Sequence, residues 1–257
     1  MTYHSKAKRS LGQNFLMHAR IAERIALTAG LTSDSVVLEI GPGTGMLTRE
    51  LVKRAKKIIA VEADTMLAAQ LESDFAQEIS DGRLTLISAD IRTFDLASLP
   101  QPYQVVANIP YYLTGEIFRM LLSSEHQPSA LTLLVQKEVA ERIARAKKES
   151  LLSLSVKAYG VPTYEFTVPR GAFLPAPKVD SAVLSVRAIS RKYFHTREKE
   201  HLFFELIRAG FAHKRKFVRK NLIEAGLPAG AIPEKARAED LHFAEWLEIM
   251  EQNPLQG

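Results

Sequence analysis

The residues best suited to chemistry stand directly after short apolar runs. Glu39-Ile40-Gly41-Pro42-Gly43-Thr44-Gly45 closes the run Val36–Ile40 and leads into an amphipathic segment. Glycines at a strand-to-helix turn let the backbone approach a ligand and supply positive φ angles. The spacing is Gly-x-Gly-x-Gly, whereas a dinucleotide fingerprint reads Gly-x-Gly-x-x-Gly and faces a pyrophosphate. The compact form suits a nucleoside ligand without phosphates, with a plain structural turn as the alternative. Glu62 ends the second run, about twenty residues on, where a carboxylate can accept both hydrogen bonds of a ribose diol. Asp90 follows the third run, Leu84–Ser88, within reach of an exocyclic amine. For either carboxylate the competing reading is a surface acid or a helix cap. The fourth run, Gln104–Asn108, enters Asn108-Ile109-Pro110-Tyr111-Tyr112.

The elements that must position these residues follow from periodicity. Val36–Ile40, Ile58–Glu62, Leu84–Ser88, Gln104–Asn108 and Leu131–Gln136 read as strands. Between them, His18–Leu27, Met46–Arg54, Thr65–Ile79, Gly115–Leu122 and Glu138–Ala146 repeat apolar residues at helical spacing. This alternation predicts an α/β fold with a mostly parallel sheet, helices on both faces, and a ligand outside the carboxyl ends of the strands. Tyr164–Val168 and Ala182–Arg187 predict two more strands, a hairpin at the sheet edge. Beyond Ser190 only helical patterns remain: Arg197–Ala209, Phe217–Ala225 and a stretch around Glu239–Met250. The expected division is residues 1–188 as the catalytic domain and 189–257 as a small all-α C-terminal domain.

Composition narrows the class. The 257 residues are 46% hydrophobic and 25% charged, ordinary for a folded chain. No apolar run approaches the roughly 18–20 residues of a membrane span, and no secretory leader pattern is seen, so a cytoplasmic protein is expected. The absence of cysteine excludes disulfides, Cys-ligated metals and thiol catalysis. The seven histidines show no metal-ligand spacing, so no metal is expected. Net charge is +5, yet Arg187 to Lys220 alone holds eleven bases against three acids, and Lys6, Lys8 and Arg9 add to this near the start. A polyanion is the natural partner, nucleic acid being the commonest, and a solvated helical face is the alternative. Arg187, Lys214, Arg215, Lys216, Arg219 and Lys220 are the candidate RNA contacts.

The Asn108–Tyr112 loop resembles the motif of methyltransferases acting on exocyclic amines of bases. Gly12-Gln13-Asn14-Phe15-Leu16, the glycine loop, and Phe173-Leu174-Pro175-Ala176-Pro177-Lys178-Val179-Asp180-Ser181 stand in the matching order, and Arg237-Ala238-Glu239 is also similar. With these motifs the chain resembles the ribosomal RNA adenine N6,N6-dimethyltransferases. The resemblance implies a Rossmann-like S-adenosylmethionine-dependent sheet and methylation of two adjacent adenosines in the 3′-terminal hairpin of small-subunit (16S) rRNA within a pre-30S particle, by a monomer. It further implies cofactor contacts from Asn14, Leu16, Gly41, Gly43, Glu62, Asp90 and Asn108, with residues 12–16 closing over the cofactor. Leu11 stands where many members have Phe, which should alter the packing of that segment.

The expected catalytic residues are Asn108, Ile109, Pro110, Tyr111 and Phe173. An adenine N6 amine is a poor nucleophile because its lone pair is delocalised into the ring. The Asn108 side-chain carbonyl and the Ile109 backbone carbonyl can accept its two hydrogens and favour a more tetrahedral nitrogen. Pro110 stiffens the turn, while Tyr111 and Phe173 can sandwich the flipped base. Alkylation makes the nitrogen's proton strongly acidic, so no dedicated general base is needed. The competing functions are a large-subunit rRNA adenine methyltransferase of the macrolide-resistance type, a non-catalytic nucleic-acid-binding factor, and an NAD-dependent oxidoreductase, the last opposed by the glycine spacing.

Overall fold

The computed structural model of this chain describes residues 13–230 and 232–252; Lys6, Lys8, Arg9, Leu11 and Gly12 lie outside them. In chain order the elements are β1 (Phe15–Leu16), α1 (Ala19–Thr28), β2 (Val36–Ile40), α2 (Thr48–Leu51), β3 (Lys57–Glu62), α3 (Thr65–Asp74), α4 (Ala76–Ser80), β4 (Leu84–Ser88), β5 (Gln104–Asn108), α5 (Thr114–Ser123), β6 (Ala130–Gln136), α6 (Lys137–Ala144), α7 (Leu151–Lys157), β7 (Val161–Val168), β8 (Phe173–Leu174), β9 (Ser181–Arg187), α8 (Arg197–Gly210), α9 (Val218–Glu224) and α10 (Phe243–Glu251).

Seven strands form one sheet in the order β4-β3-β2-β5-β6-β9-β7. The first five run parallel and β9 is antiparallel to β6. Strands β2, β3, β5 and β6 are almost continuously buried because both faces are covered, whereas the edge strand β7 alternates and the other edge strand, β4, is fully buried only at Leu84. From β2 the chain adds β3 and β4 on one side, then crosses to β5 and β6 on the other. That reversal opens a crevice at the carboxyl ends of β2 and β5. The mostly parallel α/β sheet with an edge pair is the predicted one. A separate two-stranded sheet, β1 antiparallel to β8, was not foreseen.

Two expected helices differ. Met46–Arg54 condenses to the four residues of α2, where the backbone mixes bonds such as Glu50 N–H to Leu47 O with Leu51 N–H to Leu47 O. Thr65–Ile79 breaks at Phe75, whose φ of −119° and ψ of 26° leave the helical region. The Phe75 ring is buried, and a Cβ on Gly45 would stand 2.6 Å from it. The break thus lets an aromatic side chain support the glycine loop.

The chain divides into two compact units: residues up to Ala140 with Thr163–Ile189, and Glu141–Pro162 with the chain from Ser190 onward. One division between the units falls at Ile189–Ser190, and the second unit also takes in Glu141–Pro162, which sequence reading placed with the residues before 188. Hydrogen bonding accounts for this membership. Glu149 N–H donates to Glu239 O, and Ser190 N–H donates to Tyr159 O. The excursion carries α7, held by a reciprocal cap between Ser150 and Ser153, and a buried Glu149 that accepts from Ser153 and pairs with Lys157. The core of this unit centres on Trp246, whose ring lies so close to Gly210 that a Cβ there would meet it at 2.3 Å.

Candidate active site

The cavity at the crevice is built wholly within the first unit. Its walls include the segment from Gln13 to Leu16, the glycine loop, Glu62, Asp90 and the residues from Asn108 to Leu113. Gly41, Gly43 and Gly45 have φ of 65°, 60° and 74°, the left-handed region that side chains disfavour. A Cβ on Gly41 would meet nothing within 4 Å, and one on Gly43 would approach the Phe15 ring at 3.1 Å. The loop therefore turns its backbone to open space at Gly41 and to the segment above it at Gly43.

Glu62 is buried, and its carboxylate is engaged by main chain: Gly43 N–H donates to Oε2 at 3.0 Å and Asp64 N–H to Oε1 at 2.9 Å. Burial raises its pKa, opposed by these N–H bonds. Each oxygen has a second lone pair, so acceptor capacity remains for a diol. Asp90 is more open. Arg92 forks onto it with Nε at 3.0 and 3.1 Å from the two oxygens and Nη2 at 2.6 Å, and the Arg92 N–H adds a bond of 2.9 Å. These bonds hold the Asp90 carboxyl below its usual range.

Asn108 donates through Nδ2 to the Asn14 carbonyl at 3.1 Å, leaving its Oδ1 as the acceptor to offer. Ile109 is buried, and the following turn is closed by Leu113 N–H to Pro110 O and by the Thr114 hydroxyl to Tyr111 O. The Tyr111 hydroxyl lies 2.6 Å from that of Ser181, joining this loop to the Phe173–Ser181 motif. That motif is anchored in turn by Arg170 N–H to Asp180 Oδ1. Phe15 pairs with Leu174, and Leu16 with Phe173, across the β1–β8 ladder. Three motifs far apart in sequence are therefore stitched into one wall.

Phe173 is placed differently from the rest. It is 4% exposed, belongs to the same apolar cluster as Leu16 and Ala22, and does not line the cavity. Asn14, Leu16, Gly41, Gly43, Glu62, Asp90, Asn108, Ile109, Pro110 and Tyr111 do line it.

Glu39 was read as part of the glycine motif but not as a functional group. It lines the cavity, is 1% exposed, and neither carboxyl oxygen has a hydrogen-bond partner among the described residues. Burial pushes its pKa up to about 8; the Thr48 hydroxyl opposes the rise without completing a hydrogen bond, and the Glu62 carboxylate adds to it. An acid at the last but one position of an apolar strand, just before a glycine loop, is the signal that marks it. Orphaned oxygens beside a ligand cavity fit a cationic group such as an aminoacyl ammonium.

The basic cluster lies elsewhere. Lys214, Arg215, Lys216, Arg219 and Lys220 are exposed in the second unit. Lys216 pairs with Glu224, while the other four make no ion pair among the described residues. Arg187 belongs to the first unit, where Nη2 donates to Thr28 O at the end of α1. Among the described residues no group of His and acids could hold a metal, and no helix is long and apolar enough to cross a membrane.

Comparison with known proteins agrees with this geometry. The family model for ribosomal RNA adenine dimethylases matches residues 4–253. A ribosomal RNA small subunit methyltransferase A of Dehalococcoides mccartyi is 39% identical over 95% of this chain and 87% of its own, and that of Fusobacterium nucleatum is 36% identical over 95% and 97%. Among solved structures, the 23S rRNA methyltransferase ErmE is 27% identical over 93% of this chain and all of its own, with a TM-score of 0.72. A dimethyladenosine transferase from Plasmodium falciparum, at 24% identity, covers 93% of this chain and 96% of its own with a TM-score of 0.77, a likeness of fold. The chain belongs to the ribosomal RNA adenine dimethylase family.

Proposed function

We propose that this protein transfers methyl groups from S-adenosylmethionine to N6 of two adjacent adenosines in the 3′-terminal hairpin of small-subunit rRNA within a pre-30S particle, giving N6,N6-dimethyladenosine. The observation that carries this reading is the position of Asn108. Its amide is oriented by Asn14, so that Oδ1 remains for a substrate amine, in the cavity that also holds the glycine loop and Glu62.

The bound cofactor supplies an electrophilic methyl group. Glu62 accepts from its ribose, the Gly41–Gly43 backbone leaves room for it, and Glu39 meets its ammonium. Asp90 accepts from its adenine amine. Asn108 Oδ1 and the Ile109 carbonyl hold the two hydrogens of the target N6, which orients the lone pair at the methyl group and rejects a guanine O6 by repulsion. Tyr111 offers its ring to the flipped base. Phe173, paired to Leu16 and buried, supports the cavity wall from behind.

The second unit is assigned the rRNA contact, through Lys214, Arg215, Lys216, Arg219 and Lys220; Arg187 contributes mainly by capping α1. The large-subunit alternative rests on likeness to ErmE, which is lower than that to the small-subunit relatives. The test is methyl transfer to unmethylated small and large subunits, with mass spectrometry of the RNA. Dimethyladenosine in the small subunit alone supports the reading, whereas incorporation into the large subunit alone, or into neither, overturns it.

A further inference from the structure

Arg92 sits where it has two possible employments. It belongs to a 3-10 turn, Ile91–Thr93, just past β4, and its side chain is 48% exposed at the cavity. Three of its hydrogens converge on Asp90, through the main-chain N–H, Nε and Nη2. A carboxylate has about four acceptor positions, so an incoming amine meets an acceptor that is already largely engaged. Tyr112 lines the same cavity and is 58% exposed.

We propose that Arg92 is a latch coupling the two substrates: it competes with the cofactor's adenine amine for Asp90, and when displaced it presents its guanidinium at the cavity mouth to a phosphate of the RNA strand that delivers the target base. The inference rests on the reading of Asp90 as the acceptor for the cofactor's adenine amine. An exposed Arg–Asp pair is worth little in isolation, about 0.2–1 kcal/mol, so a ligand amine can displace it. The freed fork geometry suits a phosphate. Because coupling is reciprocal, cofactor should tighten RNA binding and RNA should tighten cofactor binding.

The test uses the full-length protein, S-adenosylhomocysteine and unmethylated small subunits. In wild type, saturating S-adenosylhomocysteine should strengthen subunit binding. Arg92→Ala should bind S-adenosylhomocysteine equally well or up to about fivefold tighter, the limit set by an exposed ion pair. It should also lose the cofactor-induced gain in subunit affinity, and its salt slope in the cofactor-bound form should fall by about one. Weaker S-adenosylhomocysteine binding by Arg92→Ala, or a persisting gain, overturns the latch. Asp90→Asn separates the two levels. If it binds S-adenosylhomocysteine as wild type does, the reading of Asp90 itself fails and the latch with it. If it binds weakly and Arg92→Ala in that background changes nothing further, the latch stands.

Discussion

The cavity has two walls made in different ways. On the side proposed for the nucleoside, each group stands at the end of its own strand: Gly41 after β2, Glu62 at the end of β3, Asp90 after β4. Parallel pairing such as Ile40 with Val61 and Glu62 with Ser88 aligns those ends automatically. On the side proposed for the base, Asn108 stands at the carboxyl end of β5. It is completed by Asn14, Tyr111 with Ser181, and the Leu16–Phe173 pair, contacts bridging 70 to about 160 residues of chain. The first wall should tolerate damage to one member, because each is held by its own strand. The second should not, because its members hold each other.

The largest expected effect is on Asn108. Asn108→Ala should lower single-turnover methyl transfer a hundredfold or more, the scale of losing one preorganised polar group at a reacting centre. Asn108→Asp keeps an acceptor but loses the donor to Asn14, so it should recover part of the rate while weakening cofactor affinity. Activity of the Ala variant within a few-fold of wild type would sink the assignment.

Phe173→Ala comes next, with a loss of about 3–5 kcal/mol of stability in denaturant titration, typical of a truncated buried aromatic. Phe173→Leu should cost much less, and any rate loss it shows at unchanged stability would mean that the ring stacks on the base. Unchanged stability of the Ala variant would contradict its burial.

Glu62→Ala should weaken cofactor binding by about 2–3 kcal/mol through lost charge-assisted bonds. It also strands the Gly43 and Asp64 N–H groups. Calorimetry should show this loss with subunit affinity unaltered; an unchanged cofactor affinity would detach Glu62 from the site.

The effect smallest at any single pH step concerns Glu39. Its folded pKa of about 8 exceeds the ordinary 4.5, so between those values the native state binds a proton that the unfolded chain has released. Stability contributed by the neutral acid is therefore present below pH 4.5 and is lost as pH rises from there through 8, by up to about 1.4 kcal/mol per pH unit. Glu39→Gln should flatten that dependence in thermal or denaturant unfolding across this window. A slope equal to wild type would show that Glu39 is solvated or paired.

Local pattern made much of this legible. Val36–Ile40, Leu84–Ser88 and Gln104–Asn108 are the observed bounds of β2, β4 and β5, because apolar residues followed by turn formers mark where a strand leaves the core. Helix α7 was missed because its cap is Ser150 with Ser153 rather than Ser with Glu or Gln, and its run is short. Glu39 escaped notice because an acid next to a glycine motif gives no sign of how deeply it is buried.

The sequence by itself determined the strand–helix alternation, the strand-end residues that line the cavity, and the basic stretch in the helical part. Each depends on neighbours a few residues away, and the periods of 2 and 3.6 record them. Only the tertiary structure decided that Glu141–Pro162 joins the second unit, that residues 13–16 pair with 173–174, that Phe173 is covered, and that Arg92 holds Asp90. The first three depend on which distant backbone and apolar groups find each other. The last depends on a rotamer choice two residues from its partner, which packing and solvent set and local pattern does not encode.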